Sequence, residues 1–122
     1  RAQAIAETDA QEFQRIITEQ LEAFKADDGT RAYSHAAPNI HLIFPNVETF
    51  MGMVRRGYPQ VYRPQSYKFL RAELDPAGRP SQKVLIIGPD GKAKTAVDRV
   101  FSPDGSWKIS ACAIIQEAGL DA

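Results

Sequence analysis

Hydrophobic positions follow one period in the first half of the chain and another in the second. From Phe13, the residues Ile16, Ile17, Leu21 and Phe24 recur at helical spacing, while Gln14, Arg15, Thr18, Glu19, Glu22 and Lys25 fill the opposite face. One apolar stripe predicts a surface helix of about four to five turns. Thr8 to Gln11 reads as its capping box, with Asp9 and Glu12 as an overlapping alternative, and Asp27-Asp28-Gly29 reads as its end. A shorter helix is expected from Thr30 to Ala37, capped by Asp28 or Thr30. Tyr33, Ala36 and Ala37 give it a thin apolar face and Pro38 stops it. Ile40, Leu42, Ile43 and Phe44 form a dense apolar knot before Pro45, which fits either one helical turn or a short strand.

The next helix is the best defined. Asn46 is a strong N-cap, and Glu48 suits the positive end of the dipole. Val47, Phe50, Met51 and Val54 share a face, with Arg55 and Arg56 in the last turn. Gly57 is expected at the left-handed position that closes the helix, with Pro59 two residues beyond. The helical part thus runs from about residue 8 to 57.

After a proline-bounded crossing that ends at Pro64, alternation replaces the helical period. Four strands are expected: Gln65 to Leu74, Ser81 to Gly88, Lys92 to Ser102 and Ser106 to Gln116. The turns between them are Asp75-Pro76-Ala77-Gly78, Pro89-Asp90-Gly91 and Pro103-Asp104-Gly105, in which proline presets one backbone angle and glycine accepts a positive one. Short turns between four strands predict an antiparallel meander over about residues 65 to 117. Helices followed by strands predict one α+β domain, with N-terminal helices packed on a curved antiparallel sheet of about four strands.

The strands also carry a signal about association. In the second, Val84 and Ile86 point one way and Leu85 and Ile87 the other. In the fourth, Trp107, Ile109, Ala111, Ala113 and Ile115 share a face, with Cys112 and Ile114 opposite. A sheet with helices on one side and water on the other would alternate more cleanly. The expected use of the second face is a homodimer through the sheet, and the competing use is cover by the tail or by an end of the sheet folding over it.

Composition narrows the function classes. Fifteen basic and fifteen acidic residues cancel in a chain of 122, which argues against nucleic acid or an anionic membrane as the main partner. No apolar run approaches the length of a membrane span. The one cysteine, Cys112, lies in apolar strand sequence and is expected to be a buried small hydrophobe. No Cys/His metal spacing, phosphate-cradling glycine loop or serine elbow is present, so no cofactor is expected. Ala2-Gln3-Ala4 matches the small-x-small pattern that precedes a signal-peptidase cut. An upstream signal peptide would make the protein periplasmic or secreted; otherwise it would be cytoplasmic.

Several runs resemble one family: Gln20-Leu21-x-Ala23-Phe24-x-x-Asp27-Asp28, Ala32-Tyr33, Ala36-x-Pro38-x-Ile40, Phe50-Met51-x-Met53-Val54, Gly57-Tyr58-Pro59-x-Val61-Tyr62-Arg63-Pro64 and Asp104-Gly105-x-Trp107. Together they resemble the domain-of-unknown-function 4864 family, across nearly the whole chain. The order of elements also resembles the superfamily of nuclear-transport-factor-2-like folds. That likeness implies a cone-shaped domain with a pocket between helices and sheet, and often a dimer through the sheet. It implies no activity, because fold does not select among the isomerases, dehydratases, ligand binders and accessory domains that share it.

Such a pocket would be lined by Tyr33, Ile40, Phe44, Phe50, Tyr58, Tyr62 and one face of each strand, with Met51 able to help close it. His35 and His41 are candidates because histidine titrates near neutral pH. Asp98, if it faced the pocket, would be raised by the apolar wall and suit a general base. Val97 and Phe101, however, share a face with Arg99, which turns Asp98 to the other side. Arg99 in the pocket would clamp a carboxylate ligand, but the preferred reading is an internal ion pair with Glu73 or a helix acid. The resulting expectation is a non-catalytic binding or accessory domain for a small apolar or carboxylate ligand. The alternatives are a small isomerase or hydrolase using a pocket Asp or His, and a structural dimerisation module whose pocket is filled.

Overall fold

The computed structural model describes residues 5–115. Helices come first and strands afterwards: α1 (Glu7–Lys25), α2 (Gly29–Ser34), α3 (Pro38–Ile43), α4 (Val47–Gly57) and α5 (Pro59–Tyr62), then β1 (Ser66–Leu74), β2 (Pro80–Ile87), β3 (Ala93–Phe101) and β4 (Lys108–Ile115). The four strands form one open antiparallel sheet in the order β1-β2-β3-β4, so the architecture is α+β as the period change predicts. The Ala2-Gln3-Ala4 motif and the expected strand end at Gln116 lie outside the described residues.

The α1 stripe packs on the sheet: Phe13, Ile16, Ile17, Leu21 and Phe24 are buried with Val84, Ile86, Ala96, Val100 and Ile109 in one core cluster. Phe13 meets Trp107 edge to face at 4.8 Å. The start of α1 differs from expectation. The cap is Ala6, without a side-chain bond, and Thr8 already lies inside the first turn. Ile5 packs against the core just upstream, and Glu7 and Asp9 supply negative charge to the amide end of the helix. The other end closes as expected at Asp27-Asp28. Asp27 adopts φ 55°, its amide donates to the Phe24 carbonyl at 3.0 Å, and the Asp28 amide reaches the Ala23 carbonyl at 2.8 Å. These are the paired bonds of a Schellman closure.

Two further boundaries move for identifiable reasons. α2 ends at Ser34, before Ala36 and Ala37, because the chain there pairs with the β4 edge. The Ile109 amide donates to the His35 carbonyl and the Ala37 amide to the Ile109 carbonyl, both at 2.8 Å. Pro38 then opens α3 rather than merely ending α2, since a missing N–H is no loss at a first helical position. The apolar knot is therefore helical. Asn46 caps α4 as expected, accepting from the Thr49 amide at 2.8 Å. Gly57, however, does not take a positive φ. It completes α4, and Tyr58 and Pro59 lead into α5.

Two bulges interrupt the ladders. On β1, Leu70 and Arg71 stand opposite Lys83 alone, and the Gln82 side chain donates to the Leu70 carbonyl at 3.2 Å. On β4, Arg99 pairs with Ala111 and Val100 with Ile109, which leaves Ser110 as the extra residue. Side-chain alternation reverses at such a point. The predicted common face of Trp107, Ile109, Ala111, Ala113 and Ile115 is thereby split. Trp107 and Ile109 pack on the core, and beyond the bulge it is Cys112 and Ile114 that do so.

Candidate functional site

The layers do not close completely. A cavity of about 380 Å³ lies between them, within the range of small-molecule sites. The sheet supplies Val84 and Ile86 from β2, Ala96 and Asp98 from β3, and Ile109 and Cys112 from β4. The helices supply Ile17, Leu21 and Phe24 from α1, Ile40 from α3 with Phe44 beyond it, and Phe50, Met53 and Val54 from α4. Tyr58 and Val61 complete the wall at the α4–α5 junction. These positions are apolar because they are the core-facing residues of their elements.

Asp98 is the one charged residue among the described lining residues. It stands on the helix-facing side of β3 between Ala96 and Val100 and is 7% exposed. Burial lifts its carboxyl from 3.8 to about 6, partly opposed by a hydrogen bond from the Cys112 thiol. Cys112 is its direct cross-strand neighbour, and Gln82 pairs with it from β2. Burial, with the nearby acid, pushes the Cys112 thiol well above its ordinary value, which leaves it a protonated donor rather than a nucleophile. The Tyr58 hydroxyl donates to the Cys112 carbonyl at 3.1 Å, and burial raises its pKa as well. Gln20, also in the wall, spends its amide on the Ala32 carbonyl at 3.1 Å.

Of the residues singled out from sequence, Phe44, Phe50 and Tyr58 meet at this cavity, together with Ile40. The others lie elsewhere. Tyr33 stacks on His41 with ring centres 3.7 Å apart, its hydroxyl donates to the Phe44 carbonyl, and the His41 ring bonds the Tyr33 carbonyl at 2.9 Å. His35 bonds Glu19 at 3.1 Å, and that bond holds the Glu19 carboxyl below its usual range. Met51 is buried core that packs close to Gly29. Tyr62 bonds Asp27 and carries the Arg63 guanidinium 4.1 Å over its ring, so the crossing is stapled to the end of α1.

Arg99 is the main correction. It does share a face with Val97 and Phe101, but that face is the outer one. Its guanidinium lies 3.6 Å from Asp75, a different acid from the expected Glu73, and Glu73 is near Lys83 instead. Asp98 therefore occupies the position expected of Arg99. The cross-strand trio Gln82, Asp98 and Cys112 was the signal that could have shown it, had the register been known.

The family model described as domain of unknown function (DUF4864) matches residues 6–122. The chain belongs to the DUF4864 family. No curated protein and no solved structure matches it. Among the described residues, this DUF4864 domain has no group of three or more His, Cys, Asp or Glu that could hold a metal ion, and no helix long and apolar enough to cross a membrane.

Proposed function

We propose that this DUF4864 domain is a non-catalytic binder of a small, mainly apolar molecule, seated between helices and sheet. The observation that carries the reading is the pairing of an apolar cavity of about 380 Å³ with one buried carboxyl, Asp98, in its wall. Apolar walls supply the driving force for uptake, and a single polar group fixes orientation. The order of helices and antiparallel strands supports placing the domain in the nuclear-transport-factor-2-like superfamily. Leu85, Ile87, Val97 and Ile115, on the outer face, support self-association through the sheet. Native mass spectrometry tests the binding reading. Gently purified protein should carry a reproducible adduct or take up octanol, and Met53→Trp, which narrows the cavity, should reduce uptake. A folded wild-type protein with neither adduct nor octanol would sink it.

A second reading, an isomerase or hydrolase using Asp98 as general base, draws support from the elevation of that carboxyl to about 6, near the operating range of such groups. It requires that a bound compound leave the protein chemically changed, whereas the binding reading requires recovery unchanged.

A further inference from the structure

The lining of the cavity is lopsided in charge. Asp98 is its one carboxyl, and no lysine, arginine or histidine lines it among the described residues. The groups that face Asp98 are Cys112 on β4, Tyr58 at the α4–α5 junction and Gln82 on β2, none of them a cation. Among the described residues, burial and the Cys112 thiol are what move the Asp98 carboxyl. The nearest strand arginine, Arg99, is turned to the outer face and engaged near Asp75. A carboxylate in such a place lacks the partner that buried charges ordinarily have.

From this we infer that the cavity is selective for a lipophilic amine, whose alkyl or aryl body fills the apolar space and whose ammonium group pairs with Asp98. This inference rests on the binding reading above and names its ligand class. It also departs from the carboxylate ligand that an inward-facing Arg99 would have suited. An anionic ligand would set like charges together in an apolar cavity, and a neutral one would leave the carboxylate unpaired. An ammonium supplies the missing charge and a charge-assisted hydrogen bond. The Tyr58 hydroxyl is already committed to the Cys112 carbonyl, so it does not compete for the acid.

The test uses three chains of equal length with different heads: octylamine, octanol and octanoate, titrated calorimetrically into the full protein. At about pH 8, octylamine is expected to bind at least about tenfold tighter than octanol, with octanoate weakest, as a charge-assisted contact would give. Asp98→Asn should abolish the amine preference while retaining octanol, which also reports that the variant is folded. Lowering the pH through about 6, where Asp98 takes up a proton, should shrink the preference in the wild type. Equal affinities for octylamine and octanol, or tighter octanoate, would overturn the amine inference and leave the binding reading standing. Failure of all three to bind would overturn the amine inference, and together with the absence of any co-purified adduct it would overturn the binding reading as well.

Discussion

Replacing Asp98 by asparagine should make the protein more stable at neutral pH, by an amount that depends on pH in a defined way. The carboxyl has its pKa raised from 3.8 to about 6 in the folded state, chiefly by burial. In the unfolded chain it ionises near 3.8. Between these values the unfolded chain has released its proton and the folded protein still holds it, so the unfolded state gains in relative stability as pH rises. The contribution is fully present below the unfolded value and is lost by the time pH passes the folded one. The shift is about two units, each worth about 1.4 kcal/mol, so the total loss is about 3 kcal/mol. Asparagine has the same shape and no charge to desolvate, and its stability lacks this dependence.

The assay is urea unfolding of wild type and Asp98→Asn at about pH 4 and about pH 8, read as the difference between the two proteins at each pH. Other titrating groups largely cancel in that difference. It should move in favour of the variant by about 2 kcal/mol across the range, because part of the loss has already begun at the lower pH. A difference that stays flat would refute the reasoning, since it would mean that Asp98 ionises alike in both states and is not desolvated. A shift in favour of the wild type would mean that a cation pairs with the acid in the folded protein.

Other outcomes follow from particular contacts. Tyr58→Phe removes the bond from the α4–α5 junction to the Cys112 carbonyl and should cost about 1 kcal/mol in urea unfolding; no loss would mean that the carbonyl finds another donor. Asn46→Ala removes the α4 cap and should likewise cost about 1 kcal/mol, with Asn46→Ser recovering most of it. Gly29→Ala places a Cβ 2.5 Å from the Val47 side chain and 3.0 Å from that of Met51, an overlap expected to cost about 1–3 kcal/mol; an unchanged midpoint would show that α2 and α4 can separate freely. If the outer sheet face is a self-association surface, sedimentation should give a dimer for the wild type and a monomer for Leu85→Glu, and a monomeric wild type would end that proposal.

The sequence was most informative where local chemistry decides local structure. The α1 stripe, the Asn46 cap and the three turns at Gly78, Gly91 and Gly105, all with positive φ, could be read directly because each depends on a few neighbouring residues. It was least informative where a distant pairing decides. Ala36 leaves the helical pattern because β4 lies beside it, some seventy positions along the chain. The phase of β4 depends on the bulge at Ser110, which follows from its pairing with β3 and not from its own alternation. The side on which Arg99 falls had the same problem. Val97, Arg99 and Phe101 look like an inward face until β3 is set beside β2, where Val84 and Ile86 fix the core side and bring Ala96 and Asp98 with them. The candidate residues chosen for their chemistry, His35 and His41, proved to be bonded to Glu19 and to the Tyr33 carbonyl.

The bulge also bears on why an acid stands in the cavity. Without Ser110 as an extra residue, the alternation that begins at Trp107 and Ile109 would turn Ala111 inward, and Cys112 would face outward. With it, Cys112 is opposite Asp98 and offers its thiol hydrogen to the carboxyl. That is a weak donor, enough to orient the acid but not to compensate for its charge. The neighbouring helix-facing positions Val84, Ala96 and Val100 are apolar and fully buried, so a valine at position 98 would satisfy every local rule of the sheet. An acid there should lower stability at neutral pH by about 3 kcal/mol, and no cation among the described residues lines the cavity to offset it. A departure from locally consistent sequence without internal compensation is the pattern expected of a binding position. Under the amine proposal the compensation comes from the ligand, which ties the stability measurement on Asp98 to the amine titration: the same uncompensated charge should appear as pH-dependent instability in the empty protein and as cation preference in the filled one.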